Sequence, residues 1–113
     1  MSIREQTLKA FPFLFHQFGF ALLDAPAEDS EMVVIGQSGS IRLRFIQDRA
    51  DFFLDVGSSK TPNKWISVYE VLDEMKQKML ITEDYKYANR ISALSSILSK
   101  TFPALREYWL STN

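Results

Sequence analysis

Residues 41–57 read IRLRFIQDRADFFLDVG, and this stretch decides the fold. Apolar and charged residues alternate over its first half, which is the period of a β-strand with one buried face. Aromatic and β-branched residues resume after DRAD, so the pattern predicts a hairpin with its loop at residues 48–51. In that register Arg44 faces Asp55, an opposite-charge cross-strand pair. A slip of one residue would turn the apolar side chains to the other face, so the pattern itself specifies the register.

The segment before the hairpin predicts an N-terminal helix. Ser2 and Glu5 fit a capping box at its start. Pro12 interrupts the apolar stripe that follows, so we expect a kink or two short helices.

Two further strands are predicted between that helix and the hairpin, at residues 20–23 and 32–36. A turn at residues 38–39 would place Val34 opposite Leu43. Strands that follow one another along the chain and pair with their neighbours form an antiparallel meander, so four strands are expected in the sheet.

The segment after the hairpin predicts mainly helix. Residues 58–64, SSKTPNK, read as a loop, and Ser67 opens an amphipathic helix. Thr82 is expected to cap the next helix, and a restart is expected at residues 101–103. The predicted fold is therefore a single α+β domain over residues 1–113, with an N-terminal helix, a four-stranded antiparallel meander sheet and two to three C-terminal helices packed on the sheet.

The composition narrows the functional classes. The 113 residues are 46% hydrophobic and 24% charged with a net charge of −1, which is typical of a globular domain and gives no case for nucleic-acid affinity. The absence of cysteine excludes disulfides, thiolate zinc sites and cysteine nucleophiles. Neither a signal-peptide pattern nor an apolar run of membrane-spanning length is present, so we expect a cytoplasmic protein that does not bind membranes.

No motif for catalysis, a cofactor or a metal is found, and we expect none of these sites. His16 is the only histidine, and the GQSGS of residues 36–40 lies in a predicted hairpin turn, not in the strand-to-helix turn of a serine hydrolase. Asp48, Asp51 and Asp55 lack the spacing of a calcium loop. An enzyme that uses carboxylates and arginines alone is kept as an alternative hypothesis.

Two features favour a protein-binding role, and their residues are the candidate partner contacts. The first is an acidic loop that contains Asp24, Glu28, Asp29 and Glu31. The second is the other face of the sheet, which carries Val33, Ile35, Ile46 and Phe53. Either a helix or another protein should cover this face, and the four residues are candidate contacts only where no helix does. Apolar patches of this kind mark interfaces, and an acidic rim would steer association with a basic partner.

Over roughly residues 8–75 the chain resembles small uncharacterised bacterial proteins, several of them regarded as immunity proteins of toxin systems. The resemblance lies in the order of a helix, FPFL, Gly-Phe, an acidic loop, the hairpin, and Trp-x-Ser before a helix. It implies a cytoplasmic, non-catalytic protein that neutralises a toxin by occupying its active site or a nearby surface. No contact residue is carried over from these proteins.

The alternative is a small-ligand-binding domain or a homodimer. Its predicted pocket is lined by Phe11, Phe15, Phe45 and Phe52. Single-stranded nucleic acid at Arg42 and Arg44 is not expected, because one of these two arginines is predicted to be paired.

Overall fold

The computed structural model describes residues 2–23, 32–85 and 90–112, in which a five-stranded antiparallel sheet packs against helices. The elements in chain order are α1 (Ile3–Ala10), α2 (Pro12–His16), β1 (Ala21–Leu22), β2 (Val33–Ser38), β3 (Ile41–Asp48), β4 (Asp51–Ser58), β5 (Thr61–Ser67), α3 (Val68–Gln77) and α4 (Ile91–Thr112). The strands lie in sequence order across the sheet. The α+β class and the antiparallel meander are confirmed, whereas the predicted number of four strands is wrong.

The N-terminal helix is divided as expected. The Ser2 Oγ accepts a hydrogen bond from the Glu5 backbone N–H at 3.1 Å and caps α1. Phe11 separates α1 from α2, and Pro12 occupies the first position of α2, where its missing N–H has no helical partner to lose.

The central hairpin has the predicted register with a shorter turn. Arg44 lies opposite Asp55, and their side chains form an ion pair. The strands continue to Asp48 and Asp51, so only two residues form the turn in place of the expected four. Arg49 takes a positive φ of 58° there, as the two-residue turns that match the twist of a hairpin require.

The pairing of β2 with β3 differs from the prediction by two residues. Val34 lies opposite Phe45 and not opposite Leu43, because the turn is formed by Gly39 and Ser40. Gly39 has a φ of 60°, a conformation that glycine adopts without steric cost. A shift of two residues keeps every side chain on its predicted face.

The fifth strand corrects the prediction of a loop at residues 58–64. β5 pairs with β4 between Asp55 and Ser58, with an irregularity at Gly57 and Ser58. Its sequence TPNKWIS includes a proline and a lysine, which are typical of strands at a sheet edge. Ser67 accepts a hydrogen bond from the Tyr69 N–H at 3.3 Å and caps α3 as predicted.

The C-terminal region contains one long helix, which corrects two further expectations. No helix begins at Thr82, and α4 runs through the expected restart with Pro103 inside it. The buried stripe of α4 continues on both sides of that proline, at Leu94, Leu98, Phe102, Leu105 and Trp109. An internal proline removes one backbone hydrogen bond of the helix, and its ring crowds the preceding turn. The packing of the buried stripe outweighs this cost.

The core lies between the helices and one face of the sheet. Its fully buried large side chains are Phe11, Phe45, Phe102, Leu14, Ile41, Leu43, Leu54, Leu72, Met75, Leu94, Leu98 and Leu105. Within the described ranges, no helix is both long enough and apolar enough to cross a membrane.

Candidate functional site

The sheet presents a second face, here called the outer face, that points away from this core. Val33, Ile46 and Phe53 lie opposite one another on β2, β3 and β4 and form an apolar row. None of the three belongs to the core cluster that the described helices share with the sheet. Phe53 keeps 37% of its surface exposed, so the row offers apolar contact area to a partner.

The next row of the outer face centres on an ion pair. Arg44 donates from Nη2 at 2.7 Å and from Nε at 3.1 Å to the same oxygen, Oδ2, of Asp55. Ile35 lies beside Arg44 on β2 but is only 2% exposed. Of the four apolar contacts predicted on this face, Ile35 therefore offers almost no surface of its own.

An arginine–tryptophan cluster, formed by Arg42, Arg44 and Trp65, joins this row to the third one, in which Arg42 and Trp65 lie. The guanidinium carbons of Arg44 and Arg42 lie 4.7 and 5.5 Å from the centre of the Trp65 ring. Both are within the distance at which the face of an indole attracts a cation.

Gly57 makes this cluster possible. It lies between Arg42 and Trp65 in the register, so the ring leans across a position without a side chain. A Cβ at Gly57 would lie 2.9 Å from Trp65 Cε3 and 2.9 Å from the Lys64 carbonyl oxygen, which is closer than real Cβ contacts. Sequence reasoning missed the role of Trp65, because its place on the outer face depends on β5.

Arg42 differs from Arg44 in its partners. Arg44 is paired with Asp55, whereas the Nε of Arg42 is buried without a hydrogen-bond partner in the described part of the chain. An unmet buried donor costs about 1–3 kcal/mol. The Trp65 ring attracts the positive charge of Arg42. It accepts no hydrogen bond from the Arg42 N–H groups, which point outward in the plane of the guanidinium.

Charge is distributed unevenly along the strands. Asp48 and Asp51 are exposed beyond the apolar row at one end of the hairpin, with Arg49 between them. Lys60 and Lys64 are exposed at the opposite end, where Arg42 lies. The predicted acidic rim, Asp24, Glu28, Asp29 and Glu31, lies outside the described residues and stays a prediction.

The predicted aromatic pocket is part of the packed interior. The ring centres of Phe11 and Phe45 are 5.4 Å apart, and that of Phe52 lies 6.0 Å from Phe11 and 6.4 Å from Phe45. All three side chains are buried, and Phe15 packs against the same core. These rings fill one another's space and leave no room for a ligand.

The three aspartates of the carboxylate hypothesis do not converge. Asp48 and Asp51 are exposed at the turn, and Asp55 is engaged by Arg44 further along the sheet. Among the described residues, no group of three or more histidines, aspartates and glutamates is placed to hold a metal ion.

Among the described residues, two tyrosines have raised pKa values, and neither lies on the outer face. Burial raises the pKa of Tyr69 on α3. Burial, a hydrogen bond to Asp73 and the negative charges of Asp73 and Asp84 raise the pKa of Tyr85 to about 12. Tyr85 thereby fixes the segment after α3 to that helix, which is a structural task.

Comparison of the chain with protein-family models, with curated proteins and with solved structures finds no match.

Proposed function

We propose that this chain is a non-enzymatic protein-binding domain and that its partner is a bacterial toxin, which it neutralises by direct binding through the outer face. The apolar row of Val33, Ile46 and Phe53 carries the proposal. The described helices pack on the opposite face, and Phe53 in this row is 37% exposed, so the row offers apolar area to a partner.

The composition of the outer face supports a protein as the partner. Tryptophan and arginine are enriched among the residues that dominate binding energy, and the arginine–tryptophan cluster adjoins the apolar row. Apolar area surrounded by a small number of charged groups is the usual build of a specific interface.

The choice of a toxin rests on the resemblance described for residues 8–75. Neutralisation by occupancy needs a stable binding surface and no reactive group. The paired strands hold the side chains of the outer face in a fixed register, which supports the first of these requirements.

The test is affinity capture of a partner from the native cell, followed by an assay of whether the captured protein is a toxin that loses activity on binding. Phe53→Ser should weaken the complex by roughly tenfold or more, since it removes a large apolar contact. Leu110→Ser is the matched control, because Leu110 is similarly exposed but lies on α4.

Three outcomes would contradict the proposal. In the first, the captured partner keeps its full activity in the complex. In the second, Leu110→Ser weakens the complex as much as Phe53→Ser does. In the third, the outer face joins two copies of this chain, with a mass in solution that is halved by Phe53→Ser.

A further inference from the structure

We infer that the outer face binds an acidic segment of its protein partner, with a carboxylate of that segment paired to Arg42 beside Trp65. This inference rests on the proposed protein-binding function and adds the chemistry of the partner. The proposed carboxylate site lies at one end of the outer face. The turn that carries Asp48 and Asp51 lies at the other end.

Arg42 is the group that calls for an anion. Among the described residues no ion pair joins its guanidinium, and its Nε is buried without a hydrogen-bond partner, so a partner's carboxylate would meet the terminal nitrogens of this half-buried side chain. A carboxylate is the acceptor that matches the planar, forked donors of arginine. The neighbouring Arg44 cannot fill this role, because Asp55 already accepts from two of its nitrogens.

Trp65 prepares Arg42 for this task. The indole lies within 5.5 Å of the Arg42 guanidinium carbon and limits where the side chain can go. A side chain that is held before binding loses less freedom when the complex forms. The Trp65 ring is held in turn by its close packing against Gly57, which has no side chain.

The surroundings favour an acidic partner segment at this end. Lys60 is exposed in the turn between β4 and β5 at this end of the sheet, whereas the exposed Asp48 and Asp51 lie at the other end of the hairpin, with Arg49 between them. A segment that runs along the strands would therefore meet positive charge at the Arg42 end, and complementary charge fixes its orientation.

A protein is favoured over nucleic acid as the source of the anion. A single unpaired arginine and two lysines provide little positive charge for a phosphate backbone, and the same face continues into the apolar row. Nucleic-acid binding is included as one outcome of the test.

The test is a selection of peptides from a random library on the intact chain, followed by affinity measurements on the selected peptides. We expect wild-type binders that carry aspartate or glutamate next to apolar residues. Their affinity should fall roughly tenfold or more with Arg42→Gln. Arg106→Gln on α4 is the matched control, and it should change nothing.

A second measurement does not depend on the folding of the variant. Replacing the acidic residue of a selected peptide by glutamine should lower its affinity for the wild-type chain by a similar factor, and should have no further effect on Arg42→Gln. The inference is overturned if the selected peptides lack acidic residues, if either substitution leaves affinity unchanged, or if an oligothymidylate competes with them at Arg42.

The failure of the inference can be told from the failure of the proposed function. Binders that depend on Phe53 but not on Arg42 would refute the acidic segment and leave the binding face in place. Binders that depend on neither residue would refute both.

Discussion

Two buried threonine hydroxyls differ in whether they have a hydrogen-bond partner, and this difference should affect stability. Thr7 on α1 and Thr101 on α4 are 0% and 1% exposed. The Thr101 Oγ1 donates to the Ile97 carbonyl oxygen at 2.9 Å, whereas the Thr7 Oγ1 has no partner in the described part of the chain. A buried hydroxyl without a partner loses its hydration and gains nothing in exchange.

Thr7→Val should therefore leave the free energy of unfolding unchanged or raise it by about 1 kcal/mol, because it replaces an unmet hydroxyl by a methyl group of the same shape. Thr101→Val should lower it by about 0.5–1.5 kcal/mol, because it removes a hydrogen bond. Urea unfolding of both variants is the measurement. Equal losses in the two variants would mean that the Thr7 hydroxyl has an acceptor.

Gly57→Ala should destabilise the fold by about 1–3 kcal/mol and displace Trp65, since the new Cβ would meet both the ring and a backbone oxygen at 2.9 Å. Gly36→Ala is the control. A Cβ there has only ordinary contacts, the nearest at 3.6 Å, so this variant should be neutral or up to about 1 kcal/mol more stable. Unfolding curves and tryptophan emission report the two effects, and an unmoved emission in Gly57→Ala would contradict the prediction.

Elements with a strong side-chain period could be predicted, and those governed by tertiary contact could not. The alternation in residues 41–57 predicts β3, β4 and their register, because a one-residue slip would bury charge. β5 was missed because Pro62 and Lys64 are residues that a loop and a sheet edge share. α4 was divided in the prediction because the local cost of Pro103 is visible in sequence, whereas the packing that outweighs it is not.

The segment after α3 gives a prediction that depends on pH. Tyr85 is 7% exposed, and its pKa is raised from an ordinary 10.0 to about 12, first by burial and then by its hydrogen bond to Asp73. Folding favours the protonated phenol, so this contribution is complete below pH 10 and is lost as the pH rises toward about 12.

The comparison with Tyr85→Phe isolates that contribution, because phenylalanine has no proton to lose. The difference in unfolding free energy between the wild type and the variant should be constant below pH 10 and should shrink between pH 10 and 12. A difference that is independent of pH across this window would show that the hydroxyl is not protected in the folded state.

At the scale of the whole molecule, the sequence predicts which side chains share a face but not which groups complete the site. Val33, Ile46 and Phe53 follow from the two-residue period. Trp65 reaches Arg42 only because β5 lies beside Gly57, a contact between strands that no local pattern encodes. The alternation of apolar and polar residues also does not predict that Ile35 is buried.

The acidic loop should affect how fast a partner associates with the chain. Reversing the charge of Asp24, Glu28, Asp29 and Glu31 should slow association with a captured partner by roughly tenfold at low salt, and by less as salt screens the charges. Glu107→Lys on α4 is the control for a change of charge elsewhere. Stopped-flow association rates are the measurement, and unchanged rates at low salt would remove the loop from the binding surface.

The two borders of the sheet bear on how the protein behaves in a crowded cell. β1 is two residues long, and β5 carries Pro62 and Lys64, with Lys60 in the turn before it. Neither border is a good template for a strand from another molecule, which disfavours growth into fibrils at both sides. Concentrated solutions of the chain should therefore stay free of thioflavin-positive aggregates.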